Sequence, residues 1–254
     1  MMAWNLFSRR KRHDNDHWNI KTMFGPNLNF AVTESYKLLR TNLMFSFPDE
    51  GQGNAIGITS AVQSEGKSST ACNTAYALAE AGCKVLLLEA DLRKPTISGK
   101  LGLAKSPGLS NLLVSREDYR DMVQKCSLAP ALDVITCGDI PPNPSELLGS
   151  NRMVELVEQL KQVYDYIVID LPPITVVSDT AAMSKVLDGV VMVVRAGMSD
   201  QHFLAEAMRQ LEMVDLRVLG FAFRDMDSSG KKYSRRYNRK YYKYYAEYAK
   251  NKQR

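Results

Sequence analysis

Paired cysteines, long apolar runs and any internal repeat are all missing from this 254-residue chain. The four cysteines, Cys72, Cys83, Cys126 and Cys137, are scattered with no CxxC pair, which argues against a zinc ribbon or a disulfide framework and implies reduced thiols in a cytosolic setting. The longest apolar runs, VLLL at 85–88 and VVMVV at 190–194, fall far short of the ~20 residues that cross a bilayer. The opening MMAWNLFSRRKRHDNDHW has no apolar signal-peptide core, so the expectation is a chain that stays inside the cell and does not cross a membrane. What is present is ordinary for a globular protein, 45% hydrophobic and 24% charged, and long enough for one α/β domain with a large core.

The formal net charge of +5 is unevenly spread. Lys231 to Arg254 holds ten basic residues against one acidic, a net of +9, and residues 1–21 hold five against two, a net of +3. The body between them is therefore acidic, at −7. An acidic body disfavours nucleic-acid binding, and the basic ends are the parts suited to an anionic partner.

Residues 1–27 read as a basic, flexible lead-in, residues 28–230 as the folded domain and residues 231–254 as a flexible tail rich in Tyr, Lys and Arg. In FAVTESYKLLRTNLMFSF, Val32, Tyr36, Leu39 and Leu43 recur at helical spacing. Strands and helices then alternate: AIGITSA (55–61), the Ala-rich helix 68–82, KVLLLEA (84–90), DVITCG (133–138), helix 151–164, DYIVIDL (165–171), DGVVMVVRAG (188–197), helix 199–214 and LRVLGFAFR (216–224). Continuous apolar strands between helices predict a doubly wound, mostly parallel α/β sheet covered on both faces.

Between the first strand and the next helix lies AVQSEGKSS, Ala61 to Ser69, with the spacing of a phosphate-binding P-loop and Ala in place of its leading Gly. Backbone N–H groups over Ser64, Glu65, Gly66, Lys67, Ser68 and Ser69 would cradle phosphates, Lys67 would reach the β- and γ-phosphates, and the Ser68 hydroxyl would ligate Mg²⁺. Two further strands end in acids, LLLEADLRKP with Glu89 and Asp91, and YIVIDLPP with Asp170. Such a sheet places its ligand at these strand ends, where a carboxylate can hold Mg²⁺ or accept a proton from an attacking hydroxyl. Asp188, Arg195 and Arg224 are weaker candidates for the pocket lining.

These three motifs, together with ESYKLLRTNLMFS and a C-terminal tyrosine cluster, resemble the bacterial tyrosine kinases of capsular and exopolysaccharide synthesis over roughly residues 28–248. The resemblance implies an ATP- and Mg²⁺-dependent tyrosine kinase with Lys67, Glu89, Asp91 and Asp170 as catalytic residues and Ser68, Asp91 and Asp170 serving the metal. It makes Glu89, first acid of the second Walker motif, a candidate for accepting the tyrosine proton. It also implies a ring of identical subunits contacting through Glu34, Lys37 and Arg40. Gln63-Ser64 stands where Pro-Gly is common, Lys37 where an Arg is usual, Glu89 for an Asp, and Leu171 for a small polar residue.

The tail reads YSRRYNRKYYKYYAEY and holds seven of the 12 tyrosines. By the same resemblance Tyr233, Tyr237, Tyr241, Tyr242, Tyr244, Tyr245 and Tyr248 are autophosphorylation sites, served by a neighbouring subunit. Expected partners are a separate transmembrane activator of the polysaccharide co-polymerase type, a tyrosine phosphatase and other protein substrates, with peripheral attachment to the inner face of the membrane. Two alternatives stay open: a partitioning-type ATPase switch, although the additional lysine usual near the start of that P-loop is absent, and a nucleotide-binding scaffold without activity.

Overall fold

The computed structural model describes residues 25–47, 51–115 and 117–224. The lead-in before residue 25 and the tyrosine tail lie outside the described residues. Helix α1 (Phe30–Ser46) is followed by β1 (Asn54–Ser60), α2 (Lys67–Glu80), β2 (Val85–Glu89), α3 (Ile97–Leu101) and α4 (Leu109–Val114). Then come β3 (Gln124–Lys125), β4 (Leu132–Ile135), α5 (Pro144–Leu148), α6 (Asn151–Lys161), β5 (Tyr166–Asp170), α7 (Asp179–Ala182), β6 (Gly189–Arg195), α8 (Gln201–Met213) and β7 (Val218–Arg224).

The seven strands form one sheet in the order β3-β4-β2-β5-β1-β6-β7, with every pair parallel except β3 with β4. This is the expected doubly wound sheet, with one short antiparallel edge strand added. Side chains alternate between its two faces, as the strand period requires. Leu86, Leu88, Ile167, Ile169, Val190 and Met192 pack with α6 and α8 on one face, while Ile56, Ile58, Leu87, Val168 and Val191 pack with α2 on the other. The alanines of α2 let it lie close to the sheet, and Ala71, Cys72, Ala75 and Leu78 are fully buried.

The Asn29 side chain caps α1 by accepting a hydrogen bond from the Val32 N–H at 3.0 Å, and the helix buries Leu43. Arg40 donates to the carbonyl of Ala77 at 3.1 Å and approaches Glu80, docking α1 on α2. Glu34 and Lys37 pair with each other at 2.9 Å. The three residues expected at a subunit contact thus all make contacts within the chain. Strand β7 differs from the buried strand its apolar sequence suggests. It lies at the sheet edge, with Phe221 and Phe223 exposed. All four cysteines are unpaired, and no described helix is long and apolar enough to cross a membrane.

Candidate active site

Strand β1 lies between β5 and β6, so its C-terminal end opens among the ends of β2, β5, β6 and β7. The turn leaving it carries positive φ at Ser64 (64°) and Gly66 (93°). At Gly66 that conformation suits glycine, and an added Cβ would also meet the Arg224 guanidinium. Helix α2 starts at Lys67 with no side-chain cap. Its first-turn N–H groups and its dipole therefore face whatever lies in front of the loop, an arrangement that attracts anions.

The loop is braced from behind. Glu65 is fully buried and accepts hydrogen bonds from the Val62 N–H at 2.8 Å and from the Ser199 hydroxyl. Thr175 donates to the Ala61 carbonyl at 2.7 Å. Two arginines grip the loop from neighbouring strand ends, Arg195 on the Ser64 carbonyl at 3.1 Å and Arg224 on the Gly66 carbonyl at 3.2 Å.

In front of the loop is a cavity of about 600 Å³, lined by Ser64, Gly66, Lys67, Ser68 and Ser69 on one side and by Asp91, Arg93, Lys94, Thr96 and Lys100 on the other. Pro172, Pro173, Val176 and Val177 supply an apolar wall, and Arg195 and Arg224 complete the rim. A cavity of that size suits a small-molecule ligand, and its cationic lining suits a polyanion.

Three carboxylates stand at the strand ends in different states. Asp91 lines the cavity and accepts from the Lys94 N–H at 3.0 Å. Asp170 is fully buried, and neither carboxylate oxygen has a hydrogen-bond partner. Burial pushes its pKa up to about 7, with the nearby Ser68 hydroxyl and Lys67 ammonium pulling it down and Asp91 and Glu89 pushing it further up. Glu89, opposite Asp170 in the β2–β5 register, is also fully buried. It accepts from the N–H groups of Thr96 and Ile97, each at 2.5 Å, and of Cys137 at 3.1 Å. Burial raises its pKa while those backbone N–H groups lower it.

Two buried, unpartnered oxygens on Asp170 beside a serine hydroxyl are a hard-oxygen donor set that fits Mg²⁺, with Asp91 on the same side. No cluster of three or more His, Cys, Asp or Glu able to hold a metal exists among the described residues. Mg²⁺ is held by one or two carboxylates together with substrate phosphates.

Residues 55–217 match the family described as AAA domain. The chain is 38% identical to the tyrosine-protein kinase YwqD of Bacillus subtilis, covering 89% of this chain and 92% of that protein. It is 36% identical to the tyrosine-protein kinase CpsD of Streptococcus agalactiae, covering 79% and 86%. The chain belongs to the bacterial tyrosine-protein kinases. The fold agrees, matching the kinase domain of the Escherichia coli tyrosine kinase ETK with a TM-score of 0.73 at 28% identity over 89% of this chain and 88% of that one. In the full-length E. coli protein the chain spans only 29% of the length.

Within this kinase fold the expected loop residues Ser64, Gly66, Lys67, Ser68 and Ser69 come together at the cavity, with Asp91 across from them. The side chain of Glu65 turns inward instead, and both oxygens of Glu89 are engaged by backbone. Asp188 is not part of the lining. It precedes β6 rather than following it, so it sits at the opposite edge of the sheet, bonded to the Ala55 N–H at 2.7 Å and to Lys161 at 2.9 Å. Arg93, Lys94, Thr96 and Lys100 were not anticipated. The adjacent LRKP gave a compositional hint for the first two, whereas α3, at five residues, is too short to show a helical period.

Proposed function

We propose that this chain transfers the γ-phosphoryl group of ATP to tyrosine hydroxyls, chiefly those of its own C-terminal cluster in a neighbouring subunit, and so regulates capsular or exopolysaccharide synthesis and export. The supporting observation is the single cavity in which the start of α2, with Lys67 and Ser68, faces Asp91 while the unpartnered carboxylate of Asp170 lies behind. The P-loop N–H groups and Lys67 bind and orient the phosphates. Ser68, Asp170 and Asp91 would hold Mg²⁺, which would supply neutralisation of the phosphate charge. The phenolic oxygen bonds to the γ-phosphorus as the bond to the β,γ-bridging oxygen breaks; ADP leaves with that electron pair, and the phenolic proton passes to Asp91. Glu89 is assigned a positioning role here, because its oxygens are already used.

Arg224 lies on the cavity rim, and Tyr233 follows nine residues later, a reach of at most ~30 Å. The cluster is thus tethered near an active site, and Glu34, Lys37 and Arg40 on α1 are offered as the ring contact that brings a neighbour's site within reach. The test is intact mass and phosphotyrosine mapping after incubation with Mg-ATP and the cytoplasmic part of a candidate transmembrane activator. Phosphate on Tyr233, Tyr237, Tyr241, Tyr242, Tyr244, Tyr245 and Tyr248 is expected, at a rate rising with protein concentration and lost in Lys67→Ala. Nucleotide hydrolysis with no phosphotyrosine under any condition would replace the kinase with an ATPase switch.

The basic tail also offers peripheral attachment to an anionic membrane face, where each Lys or Arg contributes about 1 kcal/mol. Each phosphate adds about −1.5 to −2 charges, so seven outweigh the tail's net of +9. Binding to anionic vesicles should therefore fall sharply on autophosphorylation and recover after phosphatase treatment. Equal binding of the two forms rules out this switch.

A further inference from the structure

Lys100 is a further cation lining the cavity, outside the P-loop. Arg93 is held by Asp179 through two contacts of 2.9 Å, Arg195 and Arg224 grip the loop, and Lys94 spans to the Gln63 side chain at 3.0 Å. Lys100 instead stands on α3, inside the far wall, with its ammonium donating to the Thr96 hydroxyl one turn back at 2.6 Å. The position of α3 is fixed, because the carboxylate of Glu89 binds the N–H groups of Thr96 and Ile97 where that helix begins.

We propose that Lys100 is a second phosphate-binding ammonium, opposite Lys67, that contacts the terminal phosphate of the bound nucleotide and so favours the triphosphate over the diphosphate. This rests on the nucleotide reading of the cavity. The charges close enough to act on Lys100 are Asp170, Glu89 and Lys67, together with the Cys72 thiol. Lys67, assigned above to the β- and γ-phosphates, lines the same cavity as Lys100. A lysine normally extends its ammonium to water, and partial burial of this one disfavours its charged form. A phosphate entering the cavity adds an anionic partner to those Lys100 already has. The diphosphate ends before this point and gains little from the contact.

Calorimetric titration of Mg-ADP and of a non-hydrolysable Mg-ATP analogue into the wild-type protein, Lys100→Met and Lys100→Arg tests the proposal. In Lys100→Met, affinity for the triphosphate should fall about 10-fold, the size of one charge-assisted hydrogen bond, while affinity for the diphosphate stays within about twofold. Lys100→Arg should recover part of the lost discrimination. A merely structural lysine weakens both nucleotides together or neither, and either result overturns the proposal. Should the wild-type protein bind neither nucleotide, the reading of the cavity fails and this inference with it. Unchanged discrimination in a wild-type-like background removes Lys100 alone.

Discussion

Asp170→Asn should raise the melting temperature of the nucleotide-free protein at pH 8 in the presence of chelator, and the same substitution should all but stop phosphoryl transfer. The carboxyl is fully buried with no hydrogen-bond partner on either oxygen, and burial pushes its pKa from 3.8 up to about 7. Between those values the folded state holds a proton that the unfolded state has released. Stability therefore falls as pH rises from about 4 to about 7, and is flat above. A shift of that size corresponds to at most ~4 kcal/mol at ~1.4 kcal/mol per unit, or several degrees in a domain of this length. Asparagine keeps the shape and has no charge to desolvate, so the gap between variant and wild type should be small at pH 5 and widest at pH 8. Carboxylates distant from Asp170 titrate equally in both proteins and cancel in the difference. Activity should drop by roughly 10²–10³-fold, since a proposed metal ligand is lost. A variant that melts at or below wild type at pH 8, with the same pH slope, would mean that Asp170 carries no such penalty.

The parts of this site that were legible in the sequence are those where a local signal and a global position coincide. An apolar strand running into SEGKSS and then an Ala-rich helix defines β1, the loop and α2 within about 25 residues, because both the strand period and the turn chemistry are local. Asp91 and Asp170 stand out for the same reason, as acids following apolar runs. Glu89 occupies a similar position in sequence, but its destination is set by residues 96, 97 and 137, which fold back onto it from a distance. Nothing adjacent to Glu89 encodes that. Asp188 shows the reverse limit, since an acid beside an apolar run marks the ligand edge only if it follows the strand. The two-residue β3 is polar, and its place was decided by pairing with β4 rather than by any pattern of its own.

Glu89→Gln should destabilise the protein by about 2–5 kcal/mol, and this outcome separates positioning from proton transfer. Three backbone N–H donors converge on a carboxylate with no exposure to solvent, two at 2.5 Å and one at 3.1 Å. Glutamine offers one acceptor oxygen where two are used, and its amide N–H₂ would face a donor. Each buried donor left unmatched costs about 1–3 kcal/mol. Glu89→Ala should be worse, because all three N–H groups lose their acceptor and a cavity opens beside Ile97. The affected backbone includes the start of α3, so Thr96 and Lys100 lose their fixed position on the cavity wall and KM for ATP should rise. A proton acceptor would give the opposite pattern: unchanged melting, a steep fall in kcat and loss of the acidic limb of the pH–rate profile. Melting within about 1 °C of wild type, combined with that altered profile, would return Glu89 to the chemistry and displace Asp91 from it. A fall in melting temperature with the acidic limb intact leaves Asp91, the carboxylate that lines the cavity, as the group that receives the tyrosine proton.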